Sequence, residues 1–422
     1  MASSKSKRRI LALGVGSFTQ SMLHILKGQG ADVETYLTRD YGHYGPGLEG
    51  KTHLVQDVPD VNTLLAAKDY DLIIPQSIDW AQKDWGLGLV DRKAPILCPS
   101  GEALKLERDR DFARALCGRY RIPFPRSYVA RNRIEAEAIL AKDPRPYVLK
   151  NPLCSPTSPI HTIVCETVTD TQAWLRRVDY AEGAFMQEYM GRAEAGHIAF
   201  VSGGEIYSLI TNQEYKRAFN GDMGIVAGAP LGGLVESDPG DKYGLARELI
   251  HPLLPWFREV DFHGPIQVTG IKRDGKWSVL EYNVRLGVTC GPVILRMLQN
   301  PLDDLIKVVK NKKLKLAFNP GLLFGCSLTL AGYGYPFVAL PTPPLPVDLI
   351  SPFDCDVWWN EVALDSHEQL VMTGHRIADI VAIAETLEDA IKRAYSNIAR
   401  IRCLSSYYRT DVGKSLWPPG EC

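Results

Sequence analysis

The chain has no apolar run approaching the roughly 18 residues that a membrane-crossing helix needs. Nor does it open on an apolar stretch of the signal-peptide kind. Neither a membrane nor an export route is therefore expected, and the cytoplasm is the expected compartment. The nine cysteines form no C-x-x-C pair, which speaks against a zinc or disulfide framework and for reduced thiols. A surplus of one charge sign is also missing, since 48 Lys+Arg face 49 Asp+Glu. No broad field is available to gather nucleic acid or an anionic membrane. The basic start SSKSKRR (3–9) reads as a solvated tail. No internal repeat is found.

What is present fills 422 residues, too many for one core, so two or three domains are expected. RRILALGVG, ADVETYLT, LIIPQ and APILCPS read as four strands, with SFTQSMLHILKGQG as an amphipathic helix after the first. Strand–helix alternation predicts a doubly wound parallel sheet. Gly14 and Gly16 sit at the first strand-to-helix turn, where backbone N–H groups can meet a phosphate. The third glycine of a dinucleotide fingerprint is absent, which excludes a nicotinamide site. Residues 102–121 read as one charge-dense helix, followed by the proline-marked link RIPFPRSYVA.

PRPYVLKNPL, AFMQEYM, HIAFVSGGEIYSLIT and PIQVTGIKRDGKWSVLEYNVR read as strands and hairpins, the last turning at Asp274-Gly275. TDTQAWLRRV reads as a helix with a Thr or Asp cap. Proline density at 341–346 marks a loop. RIADIVAIA and TLEDAIKRAYSNIARIR close the chain as strand and helix. The expected architecture is mixed α/β and α+β, in three parts: 1–100, 101–318 and 319–422.

Four segments carry chemistry. In LEYNVRLGVT, strand alternation puts Glu281, Asn283 and Arg285 on one face and Leu280, Tyr282 and Val284 on the other. The first face offers two oxygen ligands for a divalent cation, with a guanidinium beside them. Lys150 ends a hydrophobic strand, a costly place for an ammonium unless it meets an anion. The backbone from Gln187 to Met190, followed by Glu194, offers an edge for an adenine and a carboxylate for ribose hydroxyls. NQEYKRAFNGDMGIVAGAP (212–230) is a glycine-rich loop with Lys216 and Arg217, suited to covering phosphates.

In this order the segments resemble the ATP-grasp layout, and in particular the glycinamide ribonucleotide synthetase family. EYKRAFNGDMG resembles that family's Lys-Arg loop and VLEYNVRLG its metal-binding strand. GCSLTLAGYGYP (325–336) and residues 370–413 resemble the start and end of its C-terminal domain. The resemblance implies an ATP-grasp fold with a doubly wound N-terminal domain and a small α+β C-terminal domain. It implies that Lys150 neutralises ATP phosphates, that Gln187, Glu188, Tyr189 and Met190 border adenine, and that Glu194 holds the ribose. Lys216 and Arg217 would face phosphates or substrate. Glu281 and Asn283 would bind Mg2+, with Mn2+ as the alternative ion, and Arg285 would stabilise charge on the transferred phosphoryl group.

Departures from the family fall on the substrate side. The flap after the strand lysine is here NPLCSPTSPIHT (151–162), without glycine or lysine. The first turn is GVGSFTQSM where the family has Gly-Gly-Arg-Glu-His, and RDYGHYGPG (39–47) replaces a glycine-rich segment. Gly287-Val288-Thr289-Cys290 replaces Gly-Asp-Pro-Glu, the C-terminal His-Ala-Gly-Thr is replaced near Trp358–Glu361, and Gln267 stands where many relatives have a first metal carboxylate. The expected activity is an ATP-dependent carboxylate–amine ligase working through an acyl phosphate, with small-molecule acid and amine substrates of a specialised pathway. The alternatives are phosphoribosylamine–glycine ligation and nucleotide binding without turnover. A monomer or homodimer is expected.

Overall fold

The computed structural model describes residues 7–14, 16–37, 47–78, 80, 94–153, 162–332, 334–336 and 344–414. Near the start, a four-stranded parallel sheet runs in the order Lys51–Leu54, Asp32–Leu37, Arg9–Leu13, Leu72–Pro75. The helix Ser17–Gly28 follows the first strand and buries Phe18, Met22, Leu23 and Leu26. Two details differ from the sequence reading. Lys51–Leu54 is a strand although KTHL shows no apolar alternation. APILCPS contributes only a bridge between Ile96 and Ile73, because Pro95 and Pro99 bracket it and cannot donate to a ladder.

The expected helix over 102–121 is broken. A 3-10 turn (Gly101–Leu104) leads into Lys105–Arg108, and a second helix covers Arg110–Arg119. Asp109, extended at φ −121°, makes the break and caps the second helix through the N–H groups of Asp111 and Phe112. The helix Val168–Leu175 starts on a capping box between Thr167 and Asp170, two residues ahead of the TDTQAWLRRV segment.

Two sheets then face each other. The smaller has the order Ser127–Ala130, Ala184–Glu188, Tyr147–Lys150, Thr162–Val164. The larger, nine-stranded sheet begins Lys276–Asn283, Gly264–Arg273, Glu194–Ser202, Glu205–Glu214, Gly232–Ser237. It continues through Phe324–Gly332, Arg376–Ala384 and Asp356–Trp359, with Ser406–Tyr407 beside Phe324–Gly332. It is antiparallel throughout and passes residue 318 without interruption, so the middle and C-terminal parts share one sheet. Of the proline-dense loop, residues 341–343 lie outside the described residues, and Leu345–Leu349 is already a strand. The helix Leu387–Ile398 covers the C-terminal end of this sheet, capped by Thr386. No described helix is long and apolar enough to cross a membrane. The seven described cysteines are unpaired.

Candidate active site

The row that began with Glu281 is built differently from a plain strand face. The strand ends at Asn283, and a register shift leaves Leu280 unpaired between Thr269–Glu281 and Gly270–Val279. Val279 and Tyr282 are both buried, and Leu280 is only partly buried. The bulge therefore re-aims the strand. It turns the Leu280 carbonyl toward the facing sheet, where Lys150 Nζ donates to it at 3.2 Å. Glu281 and Asn283 stand two residues apart, opposite Thr269 and Gln267. Arg285 lies past the strand end, and its Nε donates to Glu107 Oε1 at 3.0 Å.

Lys150 is the centre of the arrangement. Its ammonium is buried and donates to Gln187 Oε1 at 2.8 Å and to the Leu280 carbonyl. Among the described residues no carboxylate lies within ion-pair distance of it. Burial lowers its pKa to about 8, with Arg110 adding to the fall. Beside it Lys216 Nζ sits 3.1 Å from Glu281, 3.4 Å from Glu194 and 3.8 Å from Glu214. Burial works against its charge, but the three carboxylates outweigh burial and raise its pKa. Lys216, then burial opposing it, then Lys150 and Arg110 set the Glu281 carboxyl, whose pKa falls far below the ordinary carboxylate range.

The structure brings together Lys150, Gln187, Glu194, Lys216, Glu281 and Arg285, the last lying close enough to influence Glu214. Gln187 turns its side chain to Lys150, and its backbone, part of the expected adenine edge, lies in a strand flanked on both sides, by Ser127–Ala130 and Tyr147–Lys150. Along that edge the N–H groups of Glu188 and Tyr189 are already bonded to the Arg126 and Pro146 carbonyls. The Glu188 carboxylate pairs with Arg145 at 2.8 Å, and Met190 Sδ meets Arg273. Arg217 does not join the cluster. It follows Lys216 in an extended segment, so it points the other way, and pairs with Glu166 at 2.9 Å. The expected covering loop is a small hairpin, Arg217–Phe219 with Met223–Val226, turning through Gly221 at φ 69°. Asp222 ties it to buried Arg409 at 2.9 Å, and Asn220 bonds Thr410.

Three residues were missed by sequence reasoning. Glu107, 5% exposed, receives the Val284 N–H at 2.7 Å as well as Arg285. Arg110 reaches the Asn151 carbonyl at 3.0 Å and lies 3.7 Å from Glu281. Glu214 ends the strand Glu205–Glu214, and burial raises its carboxyl pKa. The cap residue Asp109, flanked by charge in an otherwise helical run, was the available signal for the first two. Glu214 stood inside the quoted loop segment, two residues before Lys216. Most of the altered flap (154–161), Val15 of the first turn, and 39–46 of the replaced segment lie outside the described residues.

The donors fit the groups that this fold type implies. A buried ammonium bonded only to neutral oxygens suits a phosphate, and Glu281 with Asn283 offers the hard oxygens magnesium takes. At the position where many relatives have a first metal carboxylate, Gln267 offers an amide opposite Asn283, so the ion would be held by less negative charge.

Comparison with known proteins bears on the fold that holds this site. Residues 326–415 match the family described as Phosphoribosylglycinamide synthetase, C domain. A phosphoribosylamine–glycine ligase of Xanthomonas axonopodis pv. citri is 25% identical over 438 residues, spanning 96% of this chain and 97% of the relative. The crystal structure of the phosphoribosylamine–glycine ligase of Thermotoga maritima superposes with TM-score 0.78 at 24% identity, over 96% of this chain and 99% of that one. A biotin carboxylase domain from Hydrogenobacter thermophilus, solved with MgADP, superposes with TM-score 0.70 at 12% identity, over 95% and 91%. The chain therefore has the fold of the ATP-grasp proteins, is similar over nearly its whole length to phosphoribosylamine–glycine ligases, and matches their C domain over residues 326–415.

Proposed function

We infer that the chain is an ATP-dependent ligase that joins a carboxylate to an amine, forming a C–N bond and releasing ADP and phosphate. The observation that carries this is Lys150, buried between the two sheets with carbonyl partners and no ion-pair partner among the described residues. In this reading Lys150 receives phosphate oxygens, and Arg285, oriented by Glu107, receives the substrate carboxylate or the phosphoryl group it acquires. Glu281 and Asn283 hold magnesium, which supplies charge neutralisation on the phosphates. The carboxylate attacks the γ-phosphorus, the bond from that phosphorus to the bridging oxygen breaks, and ADP departs, leaving an acyl phosphate. The amine lone pair then attacks the acyl carbon, the nitrogen gives up a proton to solvent, and the C–O bond breaks with its electrons leaving on phosphate. The protein's part is mainly positioning and fixed charge.

Phosphoribosylamine and glycine are the first substrate pair to try, because the relatives that span the chain are named for it. A second reading, a different small acid and amine, is favoured by the first turn. There Ser17 N donates to Asn360 Oδ1 at 2.9 Å, and the Ser17 hydroxyl bonds Asp379. The chain's own side chains thus engage the helix start that would otherwise be open to an anion. The deciding measurement is ADP release with phosphoribosylamine and glycine, together and singly, beside a panel of other acids and amines. Release only with an acid–amine pair supports the ligase, and the productive pair names the substrates. AMP and pyrophosphate as products would refute the acyl-phosphate route.

A further inference from the structure

On the large sheet lies a half-open cavity of about 10 Å³, lined by Lys216 together with Glu194, Ala195, Gly196, Asn212, Glu214, Gln267 and Thr269. That is about the size of one water or one ammonium group. The sheet register explains the opening. Glu281, Thr269, Gly196 and Asn212 pair side by side across four strands, so one row places Gly196 between polar neighbours. Glycine there is required by space: a Cβ would lie 2.2 Å from Asn212 Oδ1.

Two buried atoms lining the cavity have no hydrogen-bond partner among the described residues, Asn212 Oδ1 and Thr269 Oγ1. Their residues are only 1% and 4% exposed. Leaving such atoms unpaired costs about 1–3 kcal/mol each, so a resident donor is expected. Glu214 Oε1 has one long contact, from Thr289 Oγ1 at 3.4 Å, and its other oxygen is 3.8 Å from Lys216. Lys216 is shared among Glu281, Glu194 and Glu214, and Glu214 holds it at the longest of the three distances. A single positive charge with N–H donors completes this set. A dication, next to the Lys216 ammonium, suits it less.

We propose that this cavity is a subsite for a primary ammonium group of a substrate, with Glu214 as its counter-ion and Asn212, Thr269 and Gln267 as its hydrogen-bonding walls. The assignment rests on the ligase reading above and adds to it. One of the two substrates presents an unsubstituted ammonium at a fixed place beside the Glu281–Asn283 pair, and bulkier tertiary or quaternary ammonium ions are rejected.

The probe is methylammonium chloride, with tetramethylammonium chloride as the control, titrated into the full chain by ligand-observed NMR. MgATP affinity is measured separately by calorimetry. Methylammonium should bind and tetramethylammonium should not. Glu214→Gln should weaken methylammonium about tenfold, the loss of a charged hydrogen-bond partner, and Thr269→Val by a few-fold. Thr269→Val removes only a hydroxyl, so it serves if Glu214→Gln fails to fold. Equal binding by the parent and both variants, equal binding of tetramethylammonium, or displacement of methylammonium by Mn2+ in proportion to Mn2+ bound would overturn the assignment. If the parent binds MgATP but no methylammonium, this inference falls alone. If methylammonium behaves as expected and MgATP does not bind, the cavity stands and the ligase reading falls.

Discussion

The surroundings of Lys150 and Glu281 act on their charged forms in opposite ways. Lys150 loses solvent and gains only neutral oxygens, so its pKa drops to about 8. A phosphate binds the protonated form. ATP affinity should therefore be steady at neutral pH and fall as pH rises through and beyond about 8, since above that value the free protein must first take up a proton. Calorimetry across that range checks the sign, and Lys150→Met should remove the slope along with most of the affinity. Glu281 is held ionised by Lys216, Lys150 and Arg110. Glu281→Gln keeps its shape but removes the negative metal ligand, so turnover should fall by roughly a hundredfold or more, while thermal unfolding moves little. Arg285→Lys should also be damaging. One ammonium cannot keep the Glu107 contact and still present a planar fork to phosphate or carboxylate. Parental ADP release in both variants would show that the row only shapes the fold.

At the scale of the element, alternation and order were readable, and irregularities were not. Short apolar runs placed the strands that carry Lys150 and Gln187, and period-2 alternation gave the face of Glu281, because a residue's face in a strand follows from local sequence. The bulge at Leu280 depends on which residue of Gly264–Arg273 lies opposite, a fact of pairing between strands. The same holds for Arg217. Its charge was plain, but its direction was fixed by the extended segment after Lys216 and by Glu166, 51 positions away. The broken helix at Asp109 lay closer to legibility. An Asp that accepts from the N–H groups two and three residues on is a local device. Asp109→Ala should cost about 1 kcal/mol of stability in urea unfolding. It should also lower turnover beyond what that loss explains, because the same break sets Glu107 and Arg110 on the site. An activity loss that disappears when the variant is assayed fully folded at low temperature would argue against the second part.

The whole molecule is held by a contact between its two ends. Asp379, on the strand Arg376–Ala384, is 4% exposed and accepts from Thr329 Oγ1 at 2.6 Å, Asn360 Nδ2 at 2.9 Å and Arg376 Nη2 at 2.7 Å. It also bonds the Ser17 hydroxyl at the start of the first long helix, 362 positions earlier. Asn360 closes the ring by accepting the Ser17 N–H. Burial pushes the Asp379 carboxyl up, but Arg376 and these hydrogen bonds outweigh burial and hold its pKa below the ordinary value. A depressed carboxyl stabilises the fold above its unfolded-state pKa of about 4, and that stabilisation is lost as pH falls toward and through the folded-state value. Removing the carboxylate while leaving Arg376 buried strands a charge, so Asp379→Ala should cost about 3–5 kcal/mol. The double variant Asp379→Leu with Arg376→Met should recover part of that loss, since it strands nothing. Urea unfolding of the parent, the single variant and the double variant at neutral pH measures both effects. The parent and the single variant should converge in stability on acidification as the carboxylate is protonated. A gap that stays constant down to strongly acidic pH would mean that Asp379 acts through packing alone, and that the two ends of the chain are not joined by its charge.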